Sequence, residues 1–440
     1  MRYYILSTFL ALTTLVSAQQ ALTLKEAILY GKANSPSLVI AANDRAKADA
    51  QASEALSGYL PQINGTGQLD DNLKRQTTIL PAGIFSDQPT PVQFGTQYST
   101  NLAVQADQTL IDVAQLNGIQ ANKPNLAMAA IKQEQTEEQL IYETARAYAS
   151  ALTYREQARL LDDNQRQYDE LLPLLKLRLE KGVAQPLDVD RMEVTQRNLR
   201  SQYTAAQASY EIAVDQLKKV IGMPLDQPLE LADSVLTTED QLSYKGSGFS
   251  LTNLRTYKYS EQSLLLYGID LKRKRNAFLP TLGAYGRYGA MAQGNDLGTS
   301  YDNWFDYAAI GLKLNVPLFS GLRRTSQIKQ SEIALSTARE QLKLNSSQWE
   351  FDYRNADTRL TASTINAQND EESLKLAERL FASTNLQYQQ GLVPMSDLLT
   401  AEYQLKEARN NYTTSLLNRY LSIIDIERAQ GTLLQFANSL

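Results

Sequence analysis

The sequence predicts an α+β protein built as two tandem structural repeats, each joining alternating β-strands to very long helices. Three observations predict it. The chain matches itself at a constant offset of 209 residues, short stretches alternate apolar and polar side chains, and two runs of 69 residues have helical composition.

Residues 1–18 have the order of a secretory signal peptide. Arg2 precedes the apolar run Ile5 to Val16, and Val16-Ser17-Ala18 offers small side chains where signal peptidase cuts. The mature chain is expected to start near Gln19. Beyond it no stretch of eighteen apolar residues occurs, so no spanning helix is expected and only a β-barrel would cross a bilayer.

An opening helix is expected over Thr23 to Ser57. Residues 98–110 then alternate, with Leu102, Val104, Ala106 and Leu110 on one face and Ala103, Gln105, Asp107 and Thr109 on the other. Residues 307–318 alternate more cleanly, with Ile310, Leu312, Leu314, Val316 and Leu318 against Ala309, Gly311, Lys313 and Asn315. One apolar and one wet face suit a water-filled membrane barrel, and equally suit a half-buried sheet in a soluble domain. Partner strands are expected near 59–70 and 279–290, but they are Gly-rich and their faces are not assignable from the sequence. Residues 71–97 and 291–306 read as loops rich in Asp, Asn, Gly, Pro and Thr.

From Val113 to Lys181 and from Leu322 to Gln390 the composition is helical, and each run would extend ~100 Å. Pro124 and Pro173 are expected to kink or interrupt the first. The returning helices, Pro186 to Ile221 and Ser396 to Gln430, are about half as long. Their seams, Val189, Met192, Gln196, Leu199, Tyr203, Ala206, Tyr210, Ala213, Leu217 and Val220, and then Leu398, Ala401, Leu405, Ala408, Tyr412 and Ser415, step alternately three and four residues. That 3.5-residue period belongs to a coiled coil or to a plain antiparallel hairpin.

The repeat is read from residues 177–222 laid on 386–431. Leu177 meets Leu386, Gly182 meets Gly391, Asp188 meets Asp397, Glu193 meets Glu402 and Gly222 meets Gly431. The expected organisation is a signal peptide over 1–18, a first repeat over 19–222, a connector over 223–250, and a second repeat with the C-terminus over 251–440.

Composition argues against catalysis. The chain has no Cys and no His, which removes thiol nucleophiles, imidazole triads and most zinc sites. Adjacent carboxylates such as Asp162-Asp163 point apart on a helix and have no partner base, so no catalytic, cofactor or metal residues are expected. Loss of Arg2 with the signal would move the net charge from −5 to −6, which is no nucleic-acid footprint. Lys272-Arg273-Lys274-Arg275 reads as a solvated helix end that complements the helix dipole.

The tandem turns Leu177-Arg178-Leu179-Glu180-Lys181-Gly182-Val183 and Leu386-Gln387-Tyr388-Gln389-Gln390-Gly391-Leu392 carry a family resemblance. Each is followed by an Asp and a heptad helix ending at Gly222 or Gly431. With Val316-Pro317-Leu318-Phe319-Ser320-Gly321-Leu322-Arg323, they resemble the TolC-type outer membrane factor family over the whole mature chain. The resemblance implies a homotrimer whose twelve strands, four per chain, form one barrel in outer membrane lipid and continue into a coiled-coil periplasmic tunnel. It also implies a periplasmic adaptor and an inner membrane transporter of the RND or ABC type. The segment 223–250 would join the belt around the tunnel. The alternative is a periplasmic coiled-coil scaffold or binding protein without a pore.

Two sets of site residues follow. Gly182, Val183 and Ala184, with Gly391, Leu392 and Val393, are expected to dock the adaptor, because each Gly permits a left-handed cap that leaves apolar neighbours exposed. Asp188, Tyr388 and Asp397 lie within one or two helical turns of these ends and are expected to gate the tip. The Tyr388 hydroxyl would reach Asp188 on the neighbouring hairpin. Val393 and Thr400 stand where the family commonly carries a basic residue and a second Asp. A bare capping role for the two Asp residues is the alternative.

Overall fold

A computed structural model describes residues 20–81, 83, 87–233 and 248–439. The expected signal peptide and residues 234–247 of the expected connector lie outside the described residues. In chain order the main elements are β1 (Gln20–Leu22), α1 (Leu24–Asn34), α2 (Pro36–Ser57), β2 (Gln62–Asp71), β3 (Thr77–Leu80), β4 (Thr90–Gln93), β5 (Tyr98–Ile111), α3 (Val113–Gln120) and α4 (Asn122–Glu180). There follow α5 (Pro186–Ile221), β6 (Leu229–Leu231), α6 (Arg255–Asn276), β7 (Thr281–Gly294), β8 (Trp304–Asn315), α7 (Arg323–Gln389), α8 (Met395–Gln430) and α9 (Leu433–Ser439). They divide into a sheet unit, residues 44–130 and 259–342, and a helical unit made of the remaining described residues.

In the sheet unit β2, β5, β7 and β8 form one antiparallel sheet in that order. The register assigns the faces that glycine left unreadable. Val104 stands opposite Gly65 and Tyr288, and Tyr288 opposite Ala308. Gln105 stands opposite Asn64 and Arg287. One face therefore carries Ile63, Leu102, Val104, Ile310 and Leu312, and the other carries Asn64, Gln105, Asp107, Arg287 and Lys313. The apolar face lies open, with Ile310 92% exposed. Within the chain the outer edges of β2 and β8 pair with no described strand.

Several boundaries differ from the sequence reading, each for a local reason. β8 stops at Asn315, short of the expected residue 318, because Pro317 has no N–H to donate. β7 runs to Gly294, so the expected loop over 291–306 is shorter, and the expected loop over 71–97 contains the antiparallel pair β3 and β4. The opening helix breaks at Ser35, which adopts an extended conformation (ψ 124) before Pro36. The first long run breaks at Ala121, leaving Pro124 in the first turn of α4, where its missing N–H is harmless, while Pro173 sits inside α4.

The helical unit is held by one large core. Ile141, Tyr148, Leu217, Ile221, Ile424, Ile426 and Leu433 are buried to within 1% exposure, and Leu22, Leu24, Leu229 and Leu231 join them. Burying each such side chain stabilises the fold by about 1.5–3 kcal/mol. β1 and β6, neither of them expected, pair in parallel across this core. The Asp233 carboxylate accepts from the backbone N–H of Leu24 at 2.9 Å and from the buried Tyr148 hydroxyl at 2.8 Å. Burial pushes the Tyr148 phenol well above its ordinary pKa.

α5 and α8 have 36 residues each, and each ends at a glycine with φ 75, Gly222 or Gly431. A Cβ on Gly222 would lie 2.7 Å from the Asn34 carbonyl oxygen, and one on Gly431 would lie 2.8 Å from that of Asn253. Both the left-handed conformation and the close approach require glycine.

Candidate functional site

α4 turns into α5, and α7 into α8, through two Gly-centred caps of the same construction. Gly182 has φ 74 and Gly391 φ 77. The Val183 N–H donates to the Arg178 carbonyl at 2.9 Å, and the Leu392 N–H to that of Gln387 at 2.9 Å, closing the last carbonyls of each long helix in a Schellman arrangement. Val183 and Leu392 are left 76% and 70% exposed, while Ala184 and Val393 are half-buried. Both turns stand on a shared apolar cluster of Tyr168, Leu172, Leu175, Val189, Met192, Leu199, Met395 and Leu398, so neither hairpin end is free-standing. The 3.5-residue seam accounts for Val189, Met192, Leu199 and Leu398 in that cluster.

The three expected gate residues are not joined to one another within the chain. Asp188 lies in the first turn of α5, 3.7 Å from Arg191. Asp397 lies in the first turn of α8 and accepts from the Ser396 hydroxyl at 3.2 Å. Tyr388 packs against the apolar cluster, and the Arg178 guanidinium sits 5.8 Å from its ring centre. Thus Arg178, which the sequence reading passed over, ties the first hairpin to Tyr388 of the second.

A second link was also missed. The Tyr168 hydroxyl donates to the Glu402 carboxylate, bridging α4 and α8. One and two turns further along α8, Lys406 donates to Gln202 of α5, and Asn410 accepts from Gln157 of α4. Burial raises the Glu402 pKa against the pull of Tyr168 and Lys406, and burial lowers that of Lys406. The signal was present: Glu402 falls four residues after Leu398 and three before Leu405, hence on the buried face. Its repeat counterpart Glu193 is also half-buried, but it pairs with Lys176 at 2.7 Å, and that cation lowers its pKa.

The described residues thus carry a two-faced antiparallel sheet and two long helical hairpins with matching glycine turns. A model of the family described as outer membrane efflux protein matches residues 31–223 and 265–432, and the chain belongs to that family. Outer membrane protein TolC of Vibrio cholerae serotype O1 is 25% identical over 437 residues, which cover 96% of this chain and 94% of that protein. Outer membrane efflux protein BepC of Brucella suis biovar 1 is 26% identical over 298 residues, covering 66% of this chain and 59% of its own. The crystal structure of the Campylobacter jejuni CmeC outer membrane channel superposes with a TM-score of 0.75 at 16% identity, over 95% of this chain and 89% of that one. The protein is an outer membrane channel protein and not an enzyme.

Proposed function

We propose that three copies of this chain form a passive export duct, supplied by an inner membrane transporter through a periplasmic adaptor. The observation that carries this reading is the open sheet, with unpaired edges at β2 and β8, one apolar face and one polar face. Three such sheets joined edge to edge make twelve strands with no free edge. The apolar face then meets outer membrane lipid and the polar face lines water. The long helices extend as the periplasmic tunnel. The element order supports two tandem repeats, 19–222 and 251–440, joined by the connector 223–250 after loss of residues 1–18.

The exposed apolar tips, Val183 and Leu392 with their neighbours Gly182, Ala184, Gly391 and Val393, are the docking points for the adaptor. The transporter is of the RND or ABC type. That a relative is named an efflux protein supports the direction of transport. Asp188, Tyr388 and Asp397 act at the tip, where three-fold symmetry turns two Asp per chain into six carboxylates that favour cations. Within each chain the hold on Tyr388 runs through Arg178.

One preparation tests both levels. Detergent-solubilised protein should scatter light as three chains, and in planar bilayers it should open cation-selective pores whose selectivity weakens in Asp397→Asn. A stable folded monomer would sink the duct; unchanged selectivity in the variant would remove Asp397 from the gate and leave it a helix cap.

A further inference from the structure

In the sheet unit, α6 ends in Lys272-Arg273-Lys274-Arg275 just before β7, and α7 opens with Arg323-Arg324 just after β8. The first residue of β7, Thr281, pairs with the last of β8, Asn315, so the two chain segments leave the sheet side by side. Beyond it, Arg275 binds Glu332 at 2.9 Å and the Ser331 hydroxyl donates to Asp270 at 2.8 Å, holding α6 against α7. The two basic runs therefore form one cluster. With Lys329 it holds seven cations against two carboxylates, Asp270 and Glu332, in a chain whose net charge is −5. Arg273 and Arg275 take those carboxylates, and among the described residues Lys272, Lys274, Arg323 and Lys329 have no ion pair.

A solvated helix end does not explain this arrangement. Cations suit the C-terminus of α6, but Arg323 and Arg324 stand at the N-terminus of α7, where the helix dipole opposes them. The corresponding end of the first hairpin is not basic: the last turn of α2 has no cation, and α3 is capped by Asp112. Beside the cations the chain holds apolar groups out. Leu318, Phe319 and Leu322 are 92%, 84% and 68% exposed. Leu322 keeps a left-handed φ of 63, a strained conformation for a side chain of its size. The Arg324 guanidinium lies 5.8 Å from the ring centre of Phe278.

We propose that this cluster is a phosphate-binding collar for anionic phospholipid of the periplasm-facing leaflet. Lys272, Lys274, Arg323 and Arg324 hold headgroup phosphodiesters, and Leu318, Phe319 and Leu322 enter the acyl region. Charge complementarity selects the headgroup. Continuity with Ile310, Leu312 and Leu314 on the apolar face of β8 selects lipid over a soluble anion or an acidic protein. The proposal rests on the barrel reading above.

The test uses the full mature chain reconstituted in phosphatidylcholine vesicles with and without phosphatidylglycerol. Bound lipid is identified by native mass spectrometry, and pore formation is followed in the same vesicles. Wild-type protein should retain phosphatidylglycerol over phosphatidylcholine by at least about tenfold, which the pull of one or two of the four cations on an anionic headgroup would already supply. Excess inorganic phosphate should not displace it. Lys272→Gln/Lys274→Gln should lower the preference, and adding Arg323→Gln/Arg324→Gln should abolish it. Equal retention of the two lipids, displacement by phosphate, or an unchanged preference in the fourfold variant overturns the collar. So does finding a neighbouring copy or an adaptor cross-linked to these residues in place of lipid. Absence of pores in either vesicle would instead overturn the barrel reading, whereas pores without lipid preference overturn the collar alone.

Discussion

Tyr168 and Glu402 place a polar link inside the apolar cluster beneath the two hairpin turns. Because burial raises the Glu402 pKa above its ordinary 4.5, the folded protein binds that proton more tightly than the unfolded chain does. The associated stability is fully present below the unfolded value and is lost as pH rises through the folded one. Acidification from neutrality should therefore relieve the cost of burying this carboxylate and stabilise the fold. We expect Glu402→Gln, which keeps an acceptor for the Tyr168 hydroxyl without the charge, to show a flatter dependence of melting temperature on pH across that range. A variant melting curve with the same pH slope as wild type would show that Glu402 contributes nothing to it. Tyr388 teaches a related lesson, since its ring is taken up by Arg178 and the cluster rather than by Asp188 within the chain.

At the level of the element, the two faces of the sheet make the sharpest forecast. Ile310→Arg on the apolar face should destabilise the assembled barrel by about 2–4 kcal/mol if that position lies near the bilayer midplane. Ala309→Arg, one residue away on the polar face, should assemble normally. Urea titration of the protein refolded into vesicles reads both, and equal sensitivity would mean that the sheet has no lipid face. Much of this element was legible beforehand, because β5 and β8 alternate visibly. β2 and β7 were not, since Gly65, Gly67, Gly286 and Gly289 carry no side chain to mark a face, and only the register with Val104 and Tyr288 assigns them. The break at Ser35 was written in Pro36 and overlooked. β1 and β6 were out of reach for a different reason: three residues each, far apart in sequence, they exist because the helical core brings them together. The Gly-centred turns were readable from their duplication. The inward position of Glu402 was readable from its spacing to Leu398 and Leu405, but its partner Tyr168 and the pairing of Arg178 with Tyr388 were not, because each bridge links two hairpins whose relative rotation a sequence period leaves undefined.

On the scale of the whole molecule, the proposed duct predicts that docking and conduction can be separated by mutation. A Cβ on Gly391 would meet no atom within 4 Å, yet φ 77 strains any other residue there by roughly 1–2 kcal/mol. Gly391→Val should therefore leave trimer and pore intact while transport in cells is lost, because the displaced Leu392 and Val393 no longer fit the adaptor. Full export by that variant would reject the turns as docking points. The paired joints at Gly222 and Gly431 carry a wider consequence. Each glycine backs onto a carbonyl just ahead of another helix, that of Asn34 at the end of α1 before α2 or that of Asn253 before α6, leaving no room even for a Cβ at the joint. Seven residues added to α5 alone would drive Gly222 ~10 Å past Asn34. Helix length at these two joints is thus a matched dimension, and a longer α5 or α8 would fit only if the helix it abuts were shortened or moved by the same amount, as a tenon cut longer needs its mortise cut deeper.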